Sequence, residues 1–196
     1  MTATYSDAQL DALRELANIG SSTAATALCA MVGVPVDVST PEARAMLLAD
    51  AIEHLGPGEA VVASILIPVV GDLDAIVLMV LQPDTEAAAC ELLGVEQGSE
   101  VGESALLELG NILGASYLGA LVTLTGLQLE PTPPELARDM LAAAITSALL
   151  IDLPGETVLV LESTLSIASQ RCSPTFLFVP TRGSVHDILE RLRVAA

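Results

Sequence analysis

The sequence predicts an α+β fold in which a largely antiparallel sheet packs against two long helices, as a duplicated unit with a pseudo-twofold axis. Three observations lead to this prediction. One polar motif occurs on two apolar helical stretches, 93 positions apart. Strand-like segments joined by tight turns follow each copy. A chain of 196 residues, 52% of them hydrophobic, is long enough for one substantial core, so we expect a single domain over 1–196 built from repeats at about 6–97 and 98–194.

The first repeat predicts a helix, a strand, a second helix, a hairpin and a third helix. Ser6 is expected to cap the first helix, Gly33 to end it, and Gly71-Asp72-Leu73 to turn the hairpin. Pro83 suits the first position of the last helix. The predicted elements are a helix over 6–32, a strand over 34–39, a short helix over 42–54, strands over 59–69 and 74–81, and a helix over 83–93.

The second repeat predicts the same order with one rigid bend. Its long helix is expected at about 100–125, and four residues of which three are proline, 131–134, predict the bend before another short helix. The remaining predicted elements are strands over 127–130, near 145–151, over 157–168 and over 174–180, and a closing helix over 185–194.

The charge balance argues against two classes of partner. Seven Arg and no Lys stand against 25 acidic residues, a formal charge of −18, which disfavours nucleic acid and anionic membrane surfaces. The lysine-free, acidic composition suits a high-salt host or a GC-rich genome, and the sequence does not separate these. The longest apolar runs, 60–70 and 141–151, are shorter than the ~20 residues of a spanning helix, so no membrane insertion is expected.

The rest of the composition points to a cytoplasmic protein without a resident metal. No basic and then apolar leader is visible at the N-terminus. Three isolated cysteines favour reduced thiols in the core. His54 and His186 lack metal-ligand spacing and are expected in surface or capping roles, while a hairpin turn explains Asp72 and Asp74.

The duplicated motif is the strongest candidate site. Each copy forms a polar stripe on one side of a helical wheel, opposite a run of leucines and alanines, so the stripe is expected to face solvent. A proline follows each motif asparagine by the same 23 positions. The first copy consists of Asp11, Glu15, Asn18 and Pro41 with Ser22 on the same side, and the second of Ser104, Glu108, Asn111 and Pro134.

Glu and Asn suit a particular kind of chemistry. A carboxamide can orient a water through its donor and acceptor groups, and a carboxylate can hold an ammonium group of a partner. Asn cannot act as a general base. The pair therefore fits the positioning of a water against a substrate that is already activated, such as an acyl phosphate with its metal bound.

The two complete motifs resemble the signature of the CheC family of chemotaxis phosphatases, related to CheX and to part of FliY. The resemblance covers almost the whole chain. It implies a CheC-like fold and hydrolysis of the phospho-aspartate of the response regulator CheY. Asn18 and Asn111 would orient the attacking water, and Glu15 and Glu108 would pair with a lysine of the regulator. Asp11, Ser104, Pro41 and Pro134 complete the motifs in supporting roles.

The resemblance also implies partners and a subtype. Mg²⁺ is expected in CheY, with no cofactor of this protein's own, and the deamidase CheD is expected as a second partner, near 135–146. Two motifs in one chain, without the extra segments of FliY, favour the stand-alone CheC type as a monomer. The alternatives are a non-catalytic adaptor that binds CheY-phosphate or CheD, and a flagellar switch component.

Overall fold

The computed structural model describes residues 7–39, 42–149, 157–162, 164–167, 170–180, 188, 190 and 191. Five helices have assigned bounds in these ranges: α1 Asp7–Val32, α2 Leu48–Leu55, α3 Pro83–Leu93, α4 Glu100–Thr125 and α5 Leu141–Leu149. Ten strands accompany them: β1 Asp37–Val38, β2 Glu42–Leu47, β3 Val61–Gly71, β4 Ala75–Leu81, β5 Leu129–Pro131, β6 Glu135–Met140, β7 Thr157–Glu162, β8 Leu165–Ile167, β9 Gln170–Cys172 and β10 Thr175–Pro180.

The main sheet has seven strands in the order β2-β7-β10-β4-β3-β5, and β6 pairs with β3 beside β5. Every described strand pair in it is antiparallel. The order is symmetric about the central β4–β10 pair, where Leu78 lies opposite Leu177. β2 of the first half pairs with β7 of the second, and β6 of the second pairs with β3 of the first. The predicted α+β class and its pseudo-twofold axis are therefore confirmed.

Side chains alternate across the sheet and form two cores. In β3 and β4, residues such as Ile65 and Met79 enter a core under α1, α3 and α4. Side chains on the opposite face of these strands, such as Val62 and Leu78, enter a second core under α2 and α5. The fold thus has three layers, with the sheet in the middle.

The long helices and the hairpin follow the sequence prediction. α1, α3 and α4 have the expected bounds, and Gly33 ends α1 at φ 72° with its amide donating to the carbonyl of Cys29. Asp72 stabilises the hairpin turn, because its carboxylate accepts from the amide of Gln128 at 2.9 Å. Ser6 and most of the closing helix lie outside the described residues.

A short helix was predicted after each motif proline, and both predictions are wrong for the first half of the segment. Residues 42–47 and 135–140 form β2 and β6, and only then do α2 and α5 begin. Ala, Arg, Met and Leu in these segments favour helix. Pairing over six residues with a strand of the other half overrides that preference.

Four further segments differ from the prediction. The strand expected near 145–151 is helical where described, as the end of α5, and the strand expected over 34–39 shortens to β1. The one expected over 157–168 divides into β7 and β8, and β8 joins β1 and an unpredicted β9 in a three-stranded sheet. Residues 131–134 bridge β5 and β6 along β3 instead of bending toward a helix, and the Thr132 amide donates to the Pro68 carbonyl at 2.8 Å.

α4 alone among the described helices is long and apolar enough to cross a membrane by length and composition. However, 56% of its most apolar window is buried inside the fold. Its apolar character is therefore explained by packing against α1 and β3.

Candidate active site on two adjacent helices

The first motif lies on α1 with its side chains in solvent. Asp11, Glu15 and Asn18 are exposed, as is Ser22 one turn further on. Arg14 forms a surface ion pair with Asp11 at 2.6 Å, in which both side chains are about 70% exposed. An ion pair this exposed adds little stability. The predicted polar stripe is therefore present on α1.

The buried side of α1 holds that stripe in place. Its leucines and alanines pack on the sheet-facing core, so the helix can present its motif only outward. The predicted inward residues whose side chains are described are all buried: Leu13, Leu16, Ala17, Ala24 and Leu28.

The second motif lies on α4 but is less exposed. Ser104 and Glu108 are in solvent, whereas Asn111 is only partly exposed. The Ser104 hydroxyl donates to the carbonyl of Glu100 at 2.9 Å. The predicted inward residues are again buried: Leu106, Leu109, Leu113, Tyr117, Ala120 and Leu121.

Two glycines let α4 approach the sheet closely. A Cβ atom on Gly110 would lie 2.9 Å from Cγ2 of Ile65, and one on Gly114 would lie 2.6 Å from Cδ1 of Ile67. Gly110 directly precedes Asn111. The second motif is thus carried on a part of α4 that packs closely against β3.

A third glycine brings the two motif helices together. A Cβ atom on Gly20 of α1 would lie 2.2 Å from Cδ1 of Tyr117 of α4. The Tyr117 ring also packs against Phe176 of β10, with ring centroids 5.4 Å apart. Both motifs are therefore presented by one layer of two packed helices on one face of the sheet.

The start of α4 is anchored by contacts that the sequence analysis missed. The Ser99 side chain caps the helix by accepting from the amide of Gly102 at 3.0 Å. Arg138 of β6 donates to Glu86 of α3 and to Glu103 of α4, each at 2.8 Å. Glu86 is buried, at 5% exposure. The available signal was an arginine in each repeat after the motif proline, Arg44 and Arg138.

The pKa values of Arg138 and of two buried cysteines are raised. Hydrogen bonds to Glu86 and to Glu103 raise the pKa of Arg138 above its usual value. Burial, followed by the charge of Glu86, raises the pKa of the Cys90 thiol. Burial raises the pKa of Cys172 to about 12. Both thiols are poor nucleophiles for these reasons, as expected for cysteines in the core.

The motif prolines and the histidines have different outcomes. Pro134 is partly buried and immediately precedes β6, so the second motif spacing leads from α4 to the strand that carries Arg138. Pro41 and His186 lie outside the described residues. His54 lies in the last turn of α2, and its Nε2 is 3.1 Å from a carboxylate oxygen of Glu162. In the described ranges, no group of three or more His, Cys, Asp or Glu residues could hold a metal ion.

The fold and site define a class of protein: an α+β domain with pseudo-twofold symmetry that presents a Glu/Asn motif on each of two adjacent helices. The CheC-like family model matches residues 9–43 and 101–138, the segments that contain both motifs. The chain is also 34% identical, over 198 residues, to the CheY-P phosphatase CheC of Bacillus subtilis (strain 168), covering 95% of this chain and 93% of that protein. This chain belongs to the CheC-like family.

Solved structures agree with the fold. The crystal structure of Thermotoga maritima FliY matches with a TM-score of 0.76 at 18% identity, covering 99% of this chain and 100% of that one. The middle domain of FliM from H. pylori matches with a TM-score of 0.70 at 12% identity, covering 95% of this chain and 99% of that one. At these identities the similarity describes the fold alone.

Proposed function

We propose that this protein dephosphorylates the phospho-aspartate of a CheY-type response regulator. The B. subtilis relative is a CheY-P phosphatase, and it aligns over nearly the full length of both chains. In the proposed reaction a water oxygen attacks the phosphorus while the bond from phosphorus to the aspartate oxygen breaks. The products are inorganic phosphate and the free carboxylate. The regulator would supply the Mg²⁺, which would neutralise negative charge on the phosphoryl oxygens.

The asparagines are the residues proposed to orient that water. The whole chain contains only two asparagines, Asn18 and Asn111, and they occupy the same position on the two motif helices. This is the observation that carries the proposal. Neither side chain is fully buried, which supports the proposal because each amide is accessible to a partner. Each amide offers a donor and an acceptor, which fixes the direction of a bound water.

The glutamates are proposed to hold the regulator in place. Glu15 and Glu108 lie three residues before the asparagines, on the same exposed side of each helix. Each carboxylate would pair with a lysine ammonium of the regulator. Asp11 and Ser104 lie one turn earlier and are proposed to support the docking edge. Pro41 and Pro134 are proposed to complete the two motifs in supporting roles.

The setting of the reaction belongs to the same proposal. We infer a single domain of two repeats that works in the cytoplasm as a monomer, since one chain already supplies both sites. CheY is the proposed substrate, and CheD is a proposed second partner near 135–146. No cofactor of its own, no membrane insertion and no nucleic acid are required for this chemistry.

Decay of the phosphorylated regulator, followed through its phosphoryl group with Mg²⁺ present, tests the proposal. Wild-type protein should accelerate the decay, and Asn18→Ala with Asn111→Ala should remove on the order of 10²-fold of that acceleration, because the water loses its orienting group. Alanine is a better helix former than asparagine, so the fold should persist. The assay should be run at both low and high salt, because the chain carries a formal charge of −18 and salt screens the repulsion between its charges.

Two threonines provide matched controls. Thr23 of α1 and Thr123 of α4 are exposed, and each hydroxyl donates to the carbonyl four residues earlier in its own helix. Thr23→Ala with Thr123→Ala should keep full activity. Wild-type activity in the double asparagine variant would overturn the assigned roles.

The alternative is a non-catalytic adaptor or flagellar switch component, and the similarity to FliY and FliM folds is the observation that favours it. It predicts binding of the phosphorylated regulator without faster decay. Binding at unchanged decay rate, at every salt concentration, would select this alternative over the phosphatase.

A further inference from the structure

Three side chains from three elements form an ion-pair bridge beside the second motif. Arg138 of β6 donates to Glu86 of α3 through Nε at 3.2 Å and Nη2 at 2.8 Å. Its remaining nitrogen, Nη1, donates to Glu103 of α4 at 2.8 Å. We call this set the Arg138 bridge. A guanidinium can join two carboxylates in this way, because its donors lie in a fixed plane.

The bridge holds the turn from which the second motif projects. Glu103 lies in the first turn of α4 and directly precedes Ser104, the first motif residue. The Ser99 cap fixes the backbone of the same turn. The partner on the far side of Arg138 is the buried Glu86, so the bridge ties this turn to a side chain that has little freedom.

Among the residues that the structure describes around the first motif, no equivalent of the Arg138 bridge is present. Arg44 lies opposite Val160 in the register of β2 with β7, as Arg138 lies opposite Ala63 in β6 with β3. The described ion pair of Arg44 is with Glu42 of its own strand, and both side chains are exposed. The position of α1 that corresponds to Glu103 is Leu10, a residue type whose hydrocarbon side chain has no hydrogen-bond acceptor.

We propose that the Arg138 bridge is a positioning device for the second site, resting on the phosphatase function proposed above. It keeps the first turn of α4 at a fixed distance from α3 and β6, and so fixes where Glu108 and Asn111 meet the regulator. Arg138, Glu86 and Glu103 are positioning residues and touch no substrate.

Glu103→Ala tests this inference with little damage to the fold. It removes the ion pair between Arg138 and α4 but leaves the ion pair of Arg138 with buried Glu86 intact. Alanine also favours helix. Glu100→Ala is the matched control, because it removes an acidic side chain from the same first turn without touching Arg138. Each change is made in Asn18→Ala protein, where only the second site remains, and in Asn111→Ala protein, where only the first remains.

Glu103→Ala should lower kcat roughly 3- to 10-fold in the Asn18→Ala background, with a smaller change in KM, because misplacement of a water-orienting group weakens the chemical step more than docking. The Asn111→Ala background should be unaffected, and Glu100→Ala should leave both unchanged. An equal loss in both backgrounds, a loss matched by Glu100→Ala, or no loss would overturn the proposal.

A second readout does not depend on activity. Amide hydrogen exchange should accelerate over 104–111 in Glu103→Ala and stay unchanged over 11–18. If the wild-type protein does not accelerate decay, the phosphatase function itself fails. In that case, unchanged hydrogen exchange over 104–111 in Glu103→Ala would also refute the positioning role of the Arg138 bridge. If the backgrounds are active and Glu103→Ala has no effect on them, only the positioning role is refuted.

Discussion

The two motif helices have the same length, 26 residues, and the same polar stripe, but different contacts hold them in the fold. α4 has a serine cap, a bridged first turn and glycines against the sheet at 110 and 114. On α1 the residue equivalent to Gly110 is Ala17, fully buried, and the described ion pair of its motif is the exposed one of Asp11 with Arg14.

This difference separates what the two copies share from what they do not. The motif Glu and Asn are the same residue types in both helices, whereas the residues that set the position of each helix are not. The asparagine exposures follow the same division, since Asn18 is exposed and Asn111 is partly buried. A reaction with a partner would require the motif residues, whereas the packing residues can differ as long as each helix keeps its position on the sheet.

The largest effect on stability is expected at the contact between the two helices. Gly20→Ala places a methyl group 2.2 Å from a carbon of the buried Tyr117 ring, so it should lower the free energy of unfolding by about 3 kcal/mol. Urea unfolding at constant salt measures this loss.

Gly119 of α4 is the control for that substitution. A Cβ atom there would have no heavy atom within 4 Å, so Gly119→Ala should stabilise the protein by roughly 0.5–1 kcal/mol. Destabilisation by both changes would show that helix backbone, and not the contact with Tyr117, is what limits stability.

The next largest effect compares the two arginines. Arg138→Gln leaves the buried carboxylate of Glu86 without its charged partner and should reduce the free energy of unfolding by about 2 kcal/mol. This loss is smaller than for a fully buried ion pair, because Arg138 is one-third exposed to solvent. Arg44→Gln breaks only an exposed pair and should change it by less than about 0.5 kcal/mol. Thermal unfolding of the two variants side by side measures the difference, and equal losses would contradict the distinction between bridge and surface pair.

The sequence predicted the elements whose signals are local. α3 has a proline at its start and a left-handed glycine directly after its end, and β3 ends at Gly71, where the β3–β4 turn begins. β2 and β6 were missed because their residues favour helix and the burial pattern of β6 does not alternate. Only pairing with the other half of the chain makes these segments strands, and a single sequence does not contain that register.

The candidate site divides in the same way. The positions of Glu15, Asn18, Glu108 and Asn111 on the exposed helix sides followed from helical periodicity. The bridge did not, because its three members lie on elements 35 and 52 positions apart in the chain. Arg138 was visible in the repeat comparison, but its partners depend on how α3 and α4 pack against β6.

The smallest effect is expected when the two sites are compared by single substitutions. If the sites act independently, Asn111→Ala leaves the activity of the first and Asn18→Ala leaves that of the second. The better-anchored α4 should hold its asparagine closer to the productive geometry, so Asn111→Ala should remove more of the turnover, by a factor of about 3. Decay of the phosphorylated regulator at saturating concentration measures both. Equal residual rates would mean that the different anchoring of α1 and α4 does not affect the rate of dephosphorylation. A larger loss for Asn18→Ala would mean that exposure of the amide matters more than its rigidity.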